Sequence, residues 1–280
     1  MSVAVLAGLI PDQIENLTVF LIIGSVSALV FSMAKSGFGG GLGLLAVPLM
    51  IYACAGNTQF ALGLMLPLLI AADYVAVLSW WRTWQWKIVL RLLPGSAVGI
   101  AAAWASILLL RNTLGHTGHE TTDAVLKIGV GAIALLFVTL RLIRYLRKAE
   151  LVFRPVTWQT LLAGTSAGYT STLAHAAGPI ATMYLLPQPI SKQQFVATSA
   201  LFFWTVNQLK LIPYFHLGNI RTETFGALVL LIPAIIVGAL LGSFLHKRLK
   251  TTQFTGVIYT LLTVAGVDLV RKGITALAAS

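Results

Sequence analysis

Between Lys35 and Asp73 the chain contains no Asp, Glu, Lys or Arg, and the same holds between Arg154 and Lys192. Shorter charge-free runs cover 16–34, 92–110, 193–209, 224–246 and 251–267. A hydrocarbon core of about 30 Å takes roughly 20 helical residues. Several of these runs fit one crossing, and the two longest fit two. Any one of them could be a buried core helix; the whole set predicts an all-α integral membrane protein. The apolar runs are continuous, whereas a transmembrane β-barrel alternates apolar and polar residues along each strand.

The pattern predicts ten hydrophobic segments, at about 16–34, 38–54, 59–81, 88–110, 124–146, 157–173, 176–187, 193–215, 223–245 and 252–270. Segments two and seven are short and begin at Gly-rich or Gly-Pro breaks, which leaves open whether they cross fully or form half-helices. The N-terminal stretch has neither a basic n-region nor a small-residue cleavage site. No signal peptide is therefore expected, and the first apolar run is expected to remain as a helix.

Composition agrees with the pattern: 58% of residues are hydrophobic, 10% are charged and the mean hydropathy is +0.88. The net charge of +11 invites a nucleic-acid reading. Its distribution favours another. Arg82, Lys87 and Arg91 bracket one connection; Arg141 to Arg154 hold a second basic cluster; His246 to Lys250 hold a third. With the N-terminus outside and ten crossings, all three face the cytoplasm, as the positive-inside rule requires; re-entrant segments two and seven would put the 82–91 loop outside, so full crossing is the expectation. Arg271 and Lys272 are the exception. No nucleic-acid partner is expected. Membrane lipid is the expected surroundings, and a homo-oligomer is compatible with the sequence. The single Cys54 excludes an internal disulfide and a multi-cysteine metal site, and no cofactor is expected.

The halves resemble each other. Gly37 and Pro48 recur as Gly168 and Pro179 at the same spacing, and Pro94 and Gly99 recur as Pro233 and Gly238. Residues 1–150 and 151–280 would then be two repeats of five segments within one membrane domain. Five is odd, so the second repeat enters from the opposite side, an inverted repeat of the kind many secondary transporters use. Chance recurrence of Gly and Pro in membrane helices is the alternative.

Within "SGFGGGLG", Ser36 to Gly43, glycine is too dense for a comfortable helix, at about 1 kcal/mol per residue relative to alanine. The counterpart is "SAGYTSTLAHAAGP", Ser166 to Pro179. Broken helices at membrane depth survive only where protein or a water-filled cavity satisfies the backbone. Their N-terminal amides bind anions. Close helix packing is the competing explanation for the glycines. The candidate binding residues are Ser36, Gly37, Gly39, Gly40, Gly41, Ser171, Thr172, His175, Gly178, Asn207 and Lys210. Asp73 lies deep in "LLIAADYVAV" and is a candidate for carrying a coupling proton. Lys210 offers a cation, with snorkelling to the interface as its alternative. Aligning Phe60 with Phe195 places Asp73 opposite Gln208 and next to Asn207. Few acids and many amide and hydroxyl donors suit a small oxyanion and not a metal cation.

"KSGFGGGLGLLAVP", followed later by "HAAGPIATMYLL" and "FVATSALFFWTVNQLKLIPY", resembles the two halves of the sulfite exporter TauE/SafE family over about residues 16–270. The resemblance implies a transporter of the bacterial inner membrane, moving sulfite or organosulfonates. It maps the family's Gly-rich segment to Ser36–Gly43, its His-Gly-Pro element to His175, Gly178 and Pro179, and its polar helix to Asn207 and Lys210. Serine and threonine replace several glycines in the second half, which leaves the substrate within the family open. Two other classes stand beside a carrier. An anion channel on the same scaffold is one. An intramembrane enzyme is the other, but H-E-x-x-H, G-x-S-x-G and paired buried aspartates are absent, and the Ser171…His175 pair has no acid nearby in sequence. An enzyme is not expected.

Overall fold

The computed structural model describes residue 14 and residues 16–38, 43–114, 118–147, 155–185, 187–220, 222–248 and 252–279. Those residues form ten α-helices and no strand. They are α1 (Leu17–Phe38, with a π turn at Phe20–Gly24), α2 (Ala46–Ala53), α3 (Thr58–Ser79), α4 (Trp86–Leu114) and α5 (Gly118–Arg147). Then follow α6 (Thr157–Ala174), α7 (Ala177–Leu185), α8 (Lys192–His216), α9 (Thr222–Arg248) and α10 (Thr252–Ala279). By length and composition, six of the helices hold stretches long and apolar enough to cross a membrane: α1, α3, α4, α5, α8 and α9.

Helix starts are built from side chains suited to them. Asn57 Oδ1 accepts from the Phe60 N–H at 2.9 Å, and Ser191 and Gln194 form a reciprocal capping box on α8. Asp123, from α5, accepts from the N–H groups of Thr58 and Gln59 at 2.7 and 3.1 Å, placing a negative charge at the N-terminus of α3.

The full crossing that loop charge favours for segments two and seven is not what the structure shows, for a physical reason. Helix α2 has 8 residues and α7 has 9. At 1.5 Å per residue each is about 12–14 Å long, less than half of a bilayer core. Both are half-helices that run back along the helix before them. The Ser27 hydroxyl of α1 donates to the Ala46 carbonyl at 2.7 Å, and the Thr160 and Tyr184 hydroxyls join α6 to α7 at 2.8 Å.

Three helix pairs carry much of the packing: α1 with α9, α4 with α6, and α5 with α10. Lipid gives no hydrophobic drive between helices, so close approach of small residues supplies the attraction. A Cβ on Gly37 would overlap the Gly242 carbonyl of α9, and one on Gly168 would overlap the Ser96 carbonyl of α4. Neighbouring apolar side chains such as Ile22, Leu109, Val229 and Leu240 are exposed, as lipid-facing surface should be. Trp81 and Trp86, next in sequence to Arg82 and Lys87, and Trp158 at the start of α6 are also exposed, in keeping with an interfacial aromatic belt. The exceptional basic pair on α10 is partly offset in place, since Asp268 pairs with Arg271 at 2.9 Å and with Lys272 at 3.0 Å.

Candidate functional site

Helices α3 and α8 pack against each other, and their polar residues meet there. Asn207 Nδ2 donates to Asp73 Oδ2 at 2.6 Å. The other carboxylate oxygen takes the ammonium of Lys35 at 2.5 Å, and Lys35 also donates to the Leu69 carbonyl at 3.3 Å. Lys35, Asp73 and Asn207 are all buried. Burying a charge is costly unless it is paired and hydrogen-bonded, and this carboxylate is both.

The second cluster grows from the C-terminal end of α6. His175 closes this helix in the left-handed region, at φ 50° and ψ 30°, where glycine is the usual residue. Its N–H bonds the Ser171 carbonyl at 2.9 Å and the Ala176 N–H bonds the Thr170 carbonyl at 3.2 Å. The imidazole is anchored at both nitrogens, which holds a backbone conformation unusual for a non-glycine residue. Nε2 donates to the Leu62 carbonyl of α3 at 2.9 Å, so Nδ1 is left as an acceptor. Lys210 of α8 donates to that Nδ1 at 2.8 Å, and to the Ser171 carbonyl and hydroxyl at 3.0 Å each. Lys210 is fully buried, which removes the snorkelling alternative.

Between the two clusters lies a cavity of about 40 Å³. A water needs roughly 10–15 Å³ measured in this way, so the space suits a few waters or one small oxyanion. Lys35, Ser171, His175 and Asn207 are its polar wall; Phe31, Leu69 and Phe203 are part of its apolar wall. Ala177, Gly178 and Pro179, the first turn of α7, complete it on one side, with Gly43 and Leu44, just before α2, on another. The first N–H groups of a helix have no intrahelical partner, so the start of α7 suits an anion. Lys210 stands behind this wall, in contact with Ser171 and His175.

Not every residue expected at the site lines the cavity. Gly37 faces Gly242 of α9. The Ser36 carbonyl accepts from Trp80 Nε1 at 3.0 Å, and the buried Ser36 hydroxyl has no partner among the described residues. The Thr172 hydroxyl donates to the Gly168 carbonyl of its own helix at 2.8 Å. Gly39, Gly40 and Gly41 lie outside the described residues. Lys35 is the residue that sequence reasoning missed. Its signal was there, as a lone cation inside an apolar, glycine-rich stretch.

A second, wider cavity of about 580 Å³ lies among the ends of α3, α4, α5, α8 and α10. Gln59, Arg111, Asp123, Lys127 and Asn219 are in its wall. The guanidinium of Arg111 ties three elements together, donating to the Leu217 carbonyl at 2.8 Å, Gln59 Oε1 at 2.5 Å and Asn219 Oδ1 at 3.3 Å. Asp123 pairs with Lys127 at 2.8 Å. Within α8, Tyr214 comes between Lys210 and Leu217 of that wall, and its hydroxyl donates to the Thr172 carbonyl at 2.9 Å.

No curated protein and no solved structure matches the chain. The model of one family, described as sulfite exporter TauE/SafE, matches residues 20–269. That span takes in all of the polar cluster and the helices that hold it, most of α1, all of α2 to α9 and most of α10. A multi-pass arrangement of apolar helices and a match over so much of the length agree: the chain belongs to the sulfite exporter TauE/SafE family, a family of membrane transporters.

Proposed function

We propose that this protein is a secondary transporter of small sulfur-containing anions, sulfite or an organosulfonate, in the bacterial inner membrane. The observation that carries the reading is the small cavity where the start of α7 meets Ser171, His175, Asn207 and Lys35, with Lys210 behind. Donors surround a space the size of an oxyanion. The candidate binding residues are Lys35, Ser171, His175, Gly178, Asn207 and Lys210, and Asp73 is the candidate for proton coupling.

Alternating access between two inverted repeats fits the packing. Exchanging α1–α5 with α6–α10 turns the α1–α9 pair into the α6–α4 pair. The same exchange leaves α5–α10 and α3–α8 each mapped onto itself. It also carries the contact of Gly238 with Leu29 onto that of Gly99 with Thr165, and at both glycines a side chain would collide with the neighbouring helix. Two such units rocking about the cavity would expose it to each side in turn. The small volume of the cavity favours a carrier over a continuous pore.

The test is flux of sulfite and of an organosulfonate into proteoliposomes. Saturating flux that is lost in Lys210→Met, Ser171→Ala and His175→Ala supports the reading. Flux retained in all three variants contradicts the site, and large currents without saturation assign a channel.

A further inference from the structure

We infer that the central cavity selects its ligand by valence: it takes one negative charge, as in an alkanesulfonate or hydrogensulfite, and rejects dianions such as sulfate. The inference rests on the reading of this cavity as the anion site, and it follows from counting the charges that face it.

Lys35 and Asp73 are in direct contact and cancel. Asn207 is neutral. His175 is neutral too, because the Leu62 carbonyl can only accept from Nε2 and Lys210 donates to Nδ1. Lys210 is the remainder. Its three contacts are a carbonyl, a hydroxyl and an imidazole nitrogen, which are dipoles and not charges. No carboxylate pairs with it among the described residues. An anion in the cavity supplies the counter-charge that keeps Lys210 ionised, so the surplus it meets is one positive charge, in a setting walled by Phe31, Leu69 and Phe203.

A monoanion brings the total to zero. A dianion leaves one negative charge without a partner in a poorly solvated place. Unit charges a few Å apart differ in such surroundings by roughly two to three powers of ten in binding. The aspartate is therefore a valence setting. Without its charge the surplus becomes two, and a dianion fits.

The experiment is competition against radiolabelled methanesulfonate, which stays a monoanion across the usable pH range, in proteoliposomes. Unlabelled methanesulfonate and sulfate are the competitors at pH 7.5. The wild type should prefer methanesulfonate by about 100-fold. Asp73→Asn should narrow that ratio at least about tenfold, because sulfate gains. Asp73→Asn leaves Lys35 unpaired and has its own folding cost. The double variant Lys35→Met with Asp73→Leu therefore serves as the second arm. It removes both charges, keeps the surplus at one, and should return to monoanion preference even at a lower rate. Equal competition by both anions in the wild type overturns the valence inference and leaves the anion site standing. So does an unchanged ratio in Asp73→Asn, or sulfate preference in the double variant. Absence of saturable transport of any anion overturns both.

Discussion

Two lysines are buried near the middle of this membrane protein, and they are held in opposite ways. Lys35 on α1 meets a carboxylate at 2.5 Å. Lys210 on α8 meets a carbonyl, a hydroxyl and an imidazole nitrogen at 2.8 to 3.0 Å. One charge is answered inside the protein and the other is not. A buried ion pair is weak evidence for stability, but breaking one costs about 3–5 kcal/mol because the survivor is stranded. A buried cation held by dipoles alone is a standing expense that a structural residue has no reason to carry. On the proposed reading, Lys35 holds Asp73 in place and Lys210 attracts the ligand.

The largest effect should come from removing the unanswered charge. Lys210→Met should lower anion flux by about 100-fold or more, the loss expected when a buried charge partner disappears. Its thermal midpoint in detergent should fall less than that of Lys35→Met, since only neutral acceptors lose a donor and no counter-charge is stranded. A large fall in the midpoint together with retained flux would reverse the two lysines' roles.

Lys35→Met tests the other side. It strands Asp73 and should destabilise the protein by about 3–5 kcal/mol. Adding Asp73→Leu should recover most of that loss. Denaturation of both variants in a mild detergent measures it, and a double variant no better than the single one would mean that the pair is not coupled.

His175→Ala should cost about 1–3 kcal/mol, because it leaves the Leu62 carbonyl and Lys210 each short of a partner. His175→Asn should recover part of this, since asparagine tolerates the left-handed conformation better than alanine does. Melting curves of the two variants check the order.

Smaller effects separate the two helix pairs. Gly37→Ala pushes α1 from α9 two residues beyond Lys35, and Gly168→Ala pushes α6 from α4 three residues before Ser171. Each should destabilise by about 1–3 kcal/mol, as overpacking does. Only Gly168→Ala moves the cradle of Lys210, so it should weaken anion binding more. Gly129→Ala is the control, with nothing within 4 Å of the added carbon. It should be neutral or stabilising by at most about 1 kcal/mol. Thermal melts with and without sulfite read both quantities.

What the sequence made legible follows from what each signal costs. Charge-free runs announced the membrane helices because charges inside lipid are expensive. Asp73, Asn207 and Lys210 stood out for the same reason, and aligning the halves gave Asp73 and Asn207 neighbouring positions in the two repeats; their contact is visible only in the structure. Lys35 did not stand out. Its place at the end of an apolar run made it look like a boundary, when its side chain turns inward to Asp73. Glycine was ambiguous from the start, because a missing Cβ serves a neighbouring helix as well as a ligand. The matched glycines Gly37 and Gly168 both turn to a helix, Gly242 and Ser96 being their neighbours. Hydroxyls were ambiguous for a similar reason: Thr170 and Thr172 satisfy carbonyls of their own helix, while Ser171 between them reaches Lys210.

The most direct measurement is a crystal of the protein soaked in selenite, with anomalous scattering recorded at the selenium edge. Selenite mimics sulfite in shape and charge. A peak is expected in the central cavity, within hydrogen-bond reach of Ser171, Asn207 or Lys35. A peak only in the outer cavity beside Arg111 and Lys127, with the central one empty at saturating selenite, would contradict this expectation.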